Sequence, residues 1–97
     1  MIAAALRFEI RIPDSGSLKS KRAVLRPIVE GLRRKVSASV SEVDHHDTWQ
    51  RSAIGVALVT PDPGSMESLI ERVRRYVEEH MEIEVLDCVV TYLETEA

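Results

Sequence analysis

Lys19, Lys21, Arg22, Arg26, Arg33 and Arg34 crowd six cations into one short stretch of the chain, with Lys35 just beyond and only Glu30 to offset them. Lys19, Arg22, Arg26 and Arg33 follow one another at intervals of three, four and seven, which are multiples of a helical turn, so on a helix they form one stripe. Such a ridge can follow a phosphate backbone with several charges at once, and its binding weakens steeply in salt. The same residues also fit a solvated helix face, or a ridge paired with carboxylates from elsewhere in the fold. Downstream, Trp49 stands beside Gln50 and Arg51. A loop tryptophan can stack on a base or anchor a partner. A ring of that size more often caps one end of a core.

Asp44-His45-His46-Asp47 gathers imidazole and carboxylate groups within four residues. Neighbouring side chains of an extended segment point to opposite faces, so these four do not converge on one ion without a sharp loop or ligands from afar. A polar loop is the simpler reading, and a small metal-dependent hydrolase built on Asp44, His45, His46 and Asp47 is the weakest of the functional alternatives. No Gly-rich phosphate loop, no serine in an elbow motif and no suggestive carboxylate pair is present. No catalytic residue, metal or cofactor is therefore assigned. Cys88 is the single cysteine, so no intramolecular disulfide forms, and the run Val85-Leu86-Asp87-Cys88-Val89-Val90 reads as a strand with a small buried thiol.

The chain has 97 residues, 44% of them hydrophobic, which suits one domain with one core. No apolar run approaches a membrane span, and the opening residues lack the pattern of a secretory leader, so the sequence reads as cytoplasmic. The net charge of −3 hides an asymmetry: residues 1–51 carry 10 Lys and Arg against 6 Asp and Glu, whereas residues 52–97 carry 3 against 10. A positive first half can meet a polyanion with one face, or the acidic half of another copy.

The elements that must position these residues follow from periodicity. Leu6, Phe8, Ile10 and Ile12 alternate with Arg7, Glu9 and Arg11, the pattern of a half-buried first strand. Ser17 is a plausible N-cap for a helix over about 17–35 carrying Leu18, Leu25, Ile28, Val29 and Leu32, with Pro27 expected to kink or break it and Gly31 to weaken it. Val36, Ala38 and Val40 open a second strand, and Ala53 to Val59 form a third beyond a loop around His46 to Gln50. Met66, Leu69, Ile70, Val73 and Val77 give a second helix over about 65–79, and Ile83 to Leu93 a fourth strand. The order β-α-β-β-α-β gives a single ferredoxin-like sandwich over 1–97, an α+β fold with two helices on one face of a four-stranded antiparallel sheet. Its other face, receiving Ala3, Ala5, Ala57 and Val59, has no helix to cover it. A small apolar face of this kind fits a homodimer.

Ser17-Leu18-Lys19 with Lys21-Arg22, then Ser41-Glu42 with Asp44, then Asp47 with Trp49-Gln50-Arg51, resemble the YlxP-like family of small bacterial proteins of unknown function, and the likeness extends over nearly the whole chain. The resemblance implies a ferredoxin-like fold. Because genes of such proteins lie among those for transcription elongation and translation initiation, it also implies work near RNA or the ribosome, without supplying any catalytic residue. The expectation is a non-enzymatic RNA- or ribosome-associated domain that contacts phosphate through Lys19, Lys21, Arg22, Arg26, Arg33 and Arg34, with Trp49 and Arg51 at the edge of the site. The alternative is a homodimeric protein-interaction or regulatory module with no nucleic-acid role.

Overall fold

A computed structural model of the protein describes residues 1–94. Strands β1 (Ile2–Arg11), β2 (Ser39–Asp44), β3 (Arg51–Thr60) and β4 (Glu84–Glu94) alternate with helices α1 (Leu18–Val36) and α2 (Pro63–Glu78) in the order β1-α1-β2-β3-α2-β4. The strands form one antiparallel sheet in the order β2-β3-β1-β4. This is the ferredoxin-like arrangement that the hydrophobic pattern predicts.

The period of two along β1 sends Leu6, Phe8, Ile10 and Ile12 into the core, where they meet Leu25, Ile28 and Leu32 of α1, Ile54, Val56 and Leu58 of β3, and Met66, Ile70, Val73 and Val77 of α2. The opposite parity places Ala3, Ala5, Arg7 and Glu9 on the sheet's open face, beside Gly55, Ala57 and Val59 of β3 and Val89, Thr91 and Leu93 of β4.

Capping chemistry sets the helix starts. The Ser17 hydroxyl accepts from the Ser20 N–H at 3.0 Å, and Asp62 accepts from the Ser65 N–H at 2.8 Å. Pro63 then occupies the first turn of α2, where its missing N–H costs nothing, so this helix begins two residues before the expected 65. Pro27, by contrast, lies within α1 without ending it. The carbonyl it fails to satisfy belongs to Ala23, and both residues are exposed, so that carbonyl is left on the solvent side of the helix and not in the core. Gly31 is explained by close approach: a Cβ there would overlap the Tyr76 hydroxyl where α2 crosses.

The second strand starts later than expected. Val36 remains in the last turn of α1, Ser37 leaves the helix at φ 50°, and only then does β2 begin. Val43 is an extra residue between Glu42 and Asp44 in the pairing with β3, and it folds over Gly55 on the open face. The loop that follows turns at His45, whose φ of 61° is left-handed.

Candidate nucleic-acid interface

Helix phase divides the cations of α1 into two populations. Lys21 precedes Leu25, Ile28 and Leu32 by four, seven and eleven residues, so it rides on the buried stripe and keeps only 1% of its surface exposed. Its Nζ donates to the carbonyls of His45 at 2.8 Å, His46 at 3.2 Å and Arg51 at 3.3 Å, and lies 3.0 Å from Glu42 Oε2. The same Glu42 oxygen accepts from the Ser52 hydroxyl at 2.6 Å. A charge withdrawn from water needs this complete set of partners. Lys21 is therefore not a phosphate contact: it fastens the loop 45–50 over the N-terminal half of α1. The spacing to the apolar stripe carries that information in the sequence, and counting cations along the chain overlooks it.

Two more of the expected contacts are engaged elsewhere. Arg33 binds Glu30 Oε1 at 3.0 Å and reaches across to the Val40 carbonyl at 2.7 Å, tying α1 to the edge of β2. Arg51 pairs in register with Arg11, so its side chain falls on the open face of the sheet, away from α1, where it meets Glu9 Oε2 at 3.1 Å. It cannot share one surface with the helix ridge.

Around Glu9 the open face carries a connected polar cluster. Arg7 reaches Glu9 at 2.7 Å and Asp44 at 3.1 Å, and His45 Nε2 lies 3.1 Å from Glu9. The Arg7 guanidinium, with Arg51 and His45 assisting, holds the Glu9 carboxyl below the ordinary glutamate range, against the opposing effect of burial. The His45 N–H, then Arg7, hold Asp44 low in the same way. His46 turns the other way, its Nε2 3.2 Å from the Glu42 carbonyl. The two imidazoles thus serve separate partners on separate sides of the loop, and the Asp44–Asp47 string does not act as a unit. Among the described residues no three His, Cys, Asp or Glu side chains are grouped so as to hold a metal ion.

Lys19, Arg22, Arg26 and Arg34 remain. All four are exposed, and none has an ion pair or side-chain hydrogen bond among the described residues. Arg22 and Arg26 overhang a shallow groove of about 210 Å³ between α1 and β2, with Leu25 and Val29 in its wall and Glu42 at its far side. Lys35, at the far end of the helix, sits 5.0 Å from the centre of the Tyr76 ring. Trp49 does not cap the core. It is 54% exposed in the loop that Lys21 fastens, since Ile10, Ile12 and their neighbours already close that end.

Comparison with known proteins settles the family and nothing about the chemistry. The profile described as "Protein of unknown function (DUF503)" matches residues 3–90. The chain belongs to that family. The uncharacterised protein YlxP of Bacillus subtilis is 41% identical over 76 residues, which cover 78% of this chain and 83% of that one. Solved structures echo the fold at low identity. An antibiotic biosynthesis monooxygenase superposes over the whole of both chains with a TM-score of 0.58 at 17% identity. A de novo designed protein with a ferredoxin fold gives 0.53 at 14% identity, covering 99% of this chain and 88% of the design. These likenesses establish the sandwich alone. Among the described residues no helix is long and apolar enough to cross a membrane.

Proposed function

We propose that this DUF503 protein is a non-enzymatic RNA-binding module of the cytoplasm, associated with the ribosome or another structured RNA, that lays the outer face of α1 along a phosphate backbone. The observation that carries this reading is the set of four unmatched cations, Lys19, Arg22, Arg26 and Arg34, on one helix of a chain that has more acids than bases. Acidic side chains are available to neutralise them, yet they stand in solvent. Trp49 supplies a stacking surface in the loop held against the same helix. The setting implied by the resemblance to YlxP-like proteins points the same way.

Four phosphate contacts set a magnitude. Each contributes about 0.7–0.9 to the slope of log affinity against log salt, so the slope is about −3 and affinity falls roughly 50-fold between about 50 mM and 200 mM salt. Fluorescence anisotropy on a structured RNA tests this, with Arg22→Glu/Arg26→Glu as the control. Salt-dependent binding lost in the variant supports the reading, and binding that survives the charge reversal overturns it.

A second reading, a homodimeric interaction module, rests on the open face, where Val59 and Leu93 are 64% and 61% exposed beside Ala3, Ala5 and Ala57. Strands about 4.8 Å apart, three of them about 33 Å long and the six-residue β2 about 20 Å, present a footprint of roughly 600 Å². That is below the roughly 800 Å² that each partner contributes to a standard-size interface, so a dimer through this face is weak and concentration-dependent. Sedimentation across a wide concentration range checks it: a monomer throughout removes the second reading.

A further inference from the structure

The two edges of the sheet are treated in opposite ways. β2 is short, bulged at Val43, and its outward carbonyls are occupied: Arg33 donates to Val40 at 2.7 Å, and His46 Nε2 meets Glu42 at 3.2 Å. A strand edge closed by side chains offers nothing to another chain. β4 is eleven residues long, and beyond its irregularity near Leu86 it runs Cys88-Val89-Val90-Thr91-Tyr92-Leu93 without a Pro, Lys or Gly. The Cys88 N–H is taken by Asp87 Oδ1 at 2.9 Å, so the Cys88 backbone faces away from β1. Backbone direction alternates along an antiparallel strand, so Val90 and Tyr92 face outward too. Among the described residues no strand lies on that side and no side chain reaches their N–H and C=O groups.

A groove of about 450 Å³ runs beside this edge, between β4 and α2. Val90 and Tyr92 form its strand wall; Glu67, Ser68, Glu71 and Arg74 form its helix wall at helical spacing. Arg74 has a buried Nε with no acceptor among the described residues. Its guanidinium meets the Cys88 thiol, so the groove wall carries one cation among its carboxylates. An open edge beside a helix-lined groove is the arrangement that receives an extended peptide as an added strand, with alternate side chains lowered into the groove.

We propose that β4 accepts, as a fifth strand, an extended segment of a partner protein that alternates basic and apolar residues. Charge selects that occupant. Glu67 and Glu71 stand on the groove rim, Glu71 also within 3.2 Å of Arg75, so basic side chains entering the groove meet carboxylates while their aliphatic stems lie on Val90 and Tyr92. The apolar residues of the added strand extend the surface of Val89 and Leu93. A second copy pairing through its own β4 brings no Lys or Arg to the groove, since that strand has none. The proposal is independent of the ridge on α1.

The test is binding of a fluorescein-labelled nine-residue peptide of alternating lysine and valine, beside its glutamate-for-lysine counterpart, with amide exchange followed by NMR. The lysine peptide binds at least about tenfold more tightly than the glutamate peptide, since like charge disfavours the latter, and it slows exchange at Val90 and Tyr92. Glu67→Lys/Glu71→Lys reverses the preference, Tyr92→Pro abolishes binding by removing an outward N–H, and Arg22→Glu/Arg26→Glu leaves it unchanged. If Tyr92→Pro fails to fold, the charge reversal still decides. The proposal is overturned if the folded protein binds neither peptide, if the preference survives the reversal, or if Val90 and Tyr92 are already protected in a species with the mass of a dimer.

Discussion

Lys21 and Arg22 are adjacent in sequence and opposite in circumstance. Lys21 is among the largest fully buried side chains of the molecule, with three carbonyls and a carboxylate around its ammonium, whereas Arg22 stands in solvent with no partner among the described residues. One step along a helix turns a side chain by about 100°, and that rotation separates a cation that holds the fold together from one free to meet a ligand. A basic segment is therefore not a site by count. Its members must be sorted by helical phase before charge is assigned a role.

Removing the buried cation has the largest expected effect. Lys21→Met leaves Glu42 with the Ser52 hydroxyl alone and strands the carbonyls of His45, His46 and Arg51, and breaking a buried pair from one side costs about 3–5 kcal/mol. For a domain of this size that lowers Tm by more than about 10 °C. Thermal unfolding by circular dichroism checks this; a drop of only a few degrees would show that the loop does not depend on Lys21. In the same measurement Arg22→Ala changes Tm little, because an exposed side chain without partners contributes little to stability.

Acid titration sharpens the contrast from the other side of the sheet. Glu9, Asp44 and Asp62 all have carboxyls lowered in the fold, Glu9 chiefly by Arg7, Asp44 by the His45 N–H and Asp62 by the Ser65 N–H. A lowered carboxyl stabilises the fold above its unfolded value, near 4.5 for Glu and 3.8 for Asp, and loses that contribution as pH falls through the folded value. Stability therefore declines below about pH 4.5, and Glu9→Gln makes the decline shallower. A Glu9→Gln profile as steep as that of the wild type would contradict the role given to the Arg7–Glu9 pair.

The smallest effects belong to the engaged arginines. Arg33→Ala and Arg51→Ala each change the salt slope of RNA binding by well under the roughly 0.7–0.9 that a true phosphate contact contributes. Lys19→Ala changes it by about that full amount. Titrations of the three variants at matched salt series distinguish the two classes.

The sandwich was legible because strands of period two and helices of period 3.6 alternate cleanly, and Leu6, Phe8 and Ile10 or Leu25, Ile28 and Leu32 leave little choice of face. Local chemistry misled at Pro27, where solvent exposure of Ala23 removes the cost of a missing hydrogen bond, and at Val36, where Ser37 delays the strand by taking a left-handed turn. The site was less legible than the fold. Lys19, Arg22, Arg26 and Arg34 were recognisable from spacing alone, but the fate of Arg33 depends on the Val40 carbonyl across a helix-strand gap, and that of Arg51 on strand register. The size of Trp49 favours a place against the core over the edge of an interface, yet the ring stands outside the core, because the loop that carries it is anchored through backbone carbonyls to Lys21 rather than by the ring itself.

The salt dependence of wild-type binding to a structured RNA tests the central claim most directly. Four contacts predict a slope of about −3, moving to about −1.5 in Arg22→Ala/Arg26→Ala, whereas all seven Lys and Arg of α1 acting together would give about −5 to −6. A slope near −3 that halves in the variant supports the division between buried and exposed cations. The steeper slope, or no binding at low salt, contradicts it.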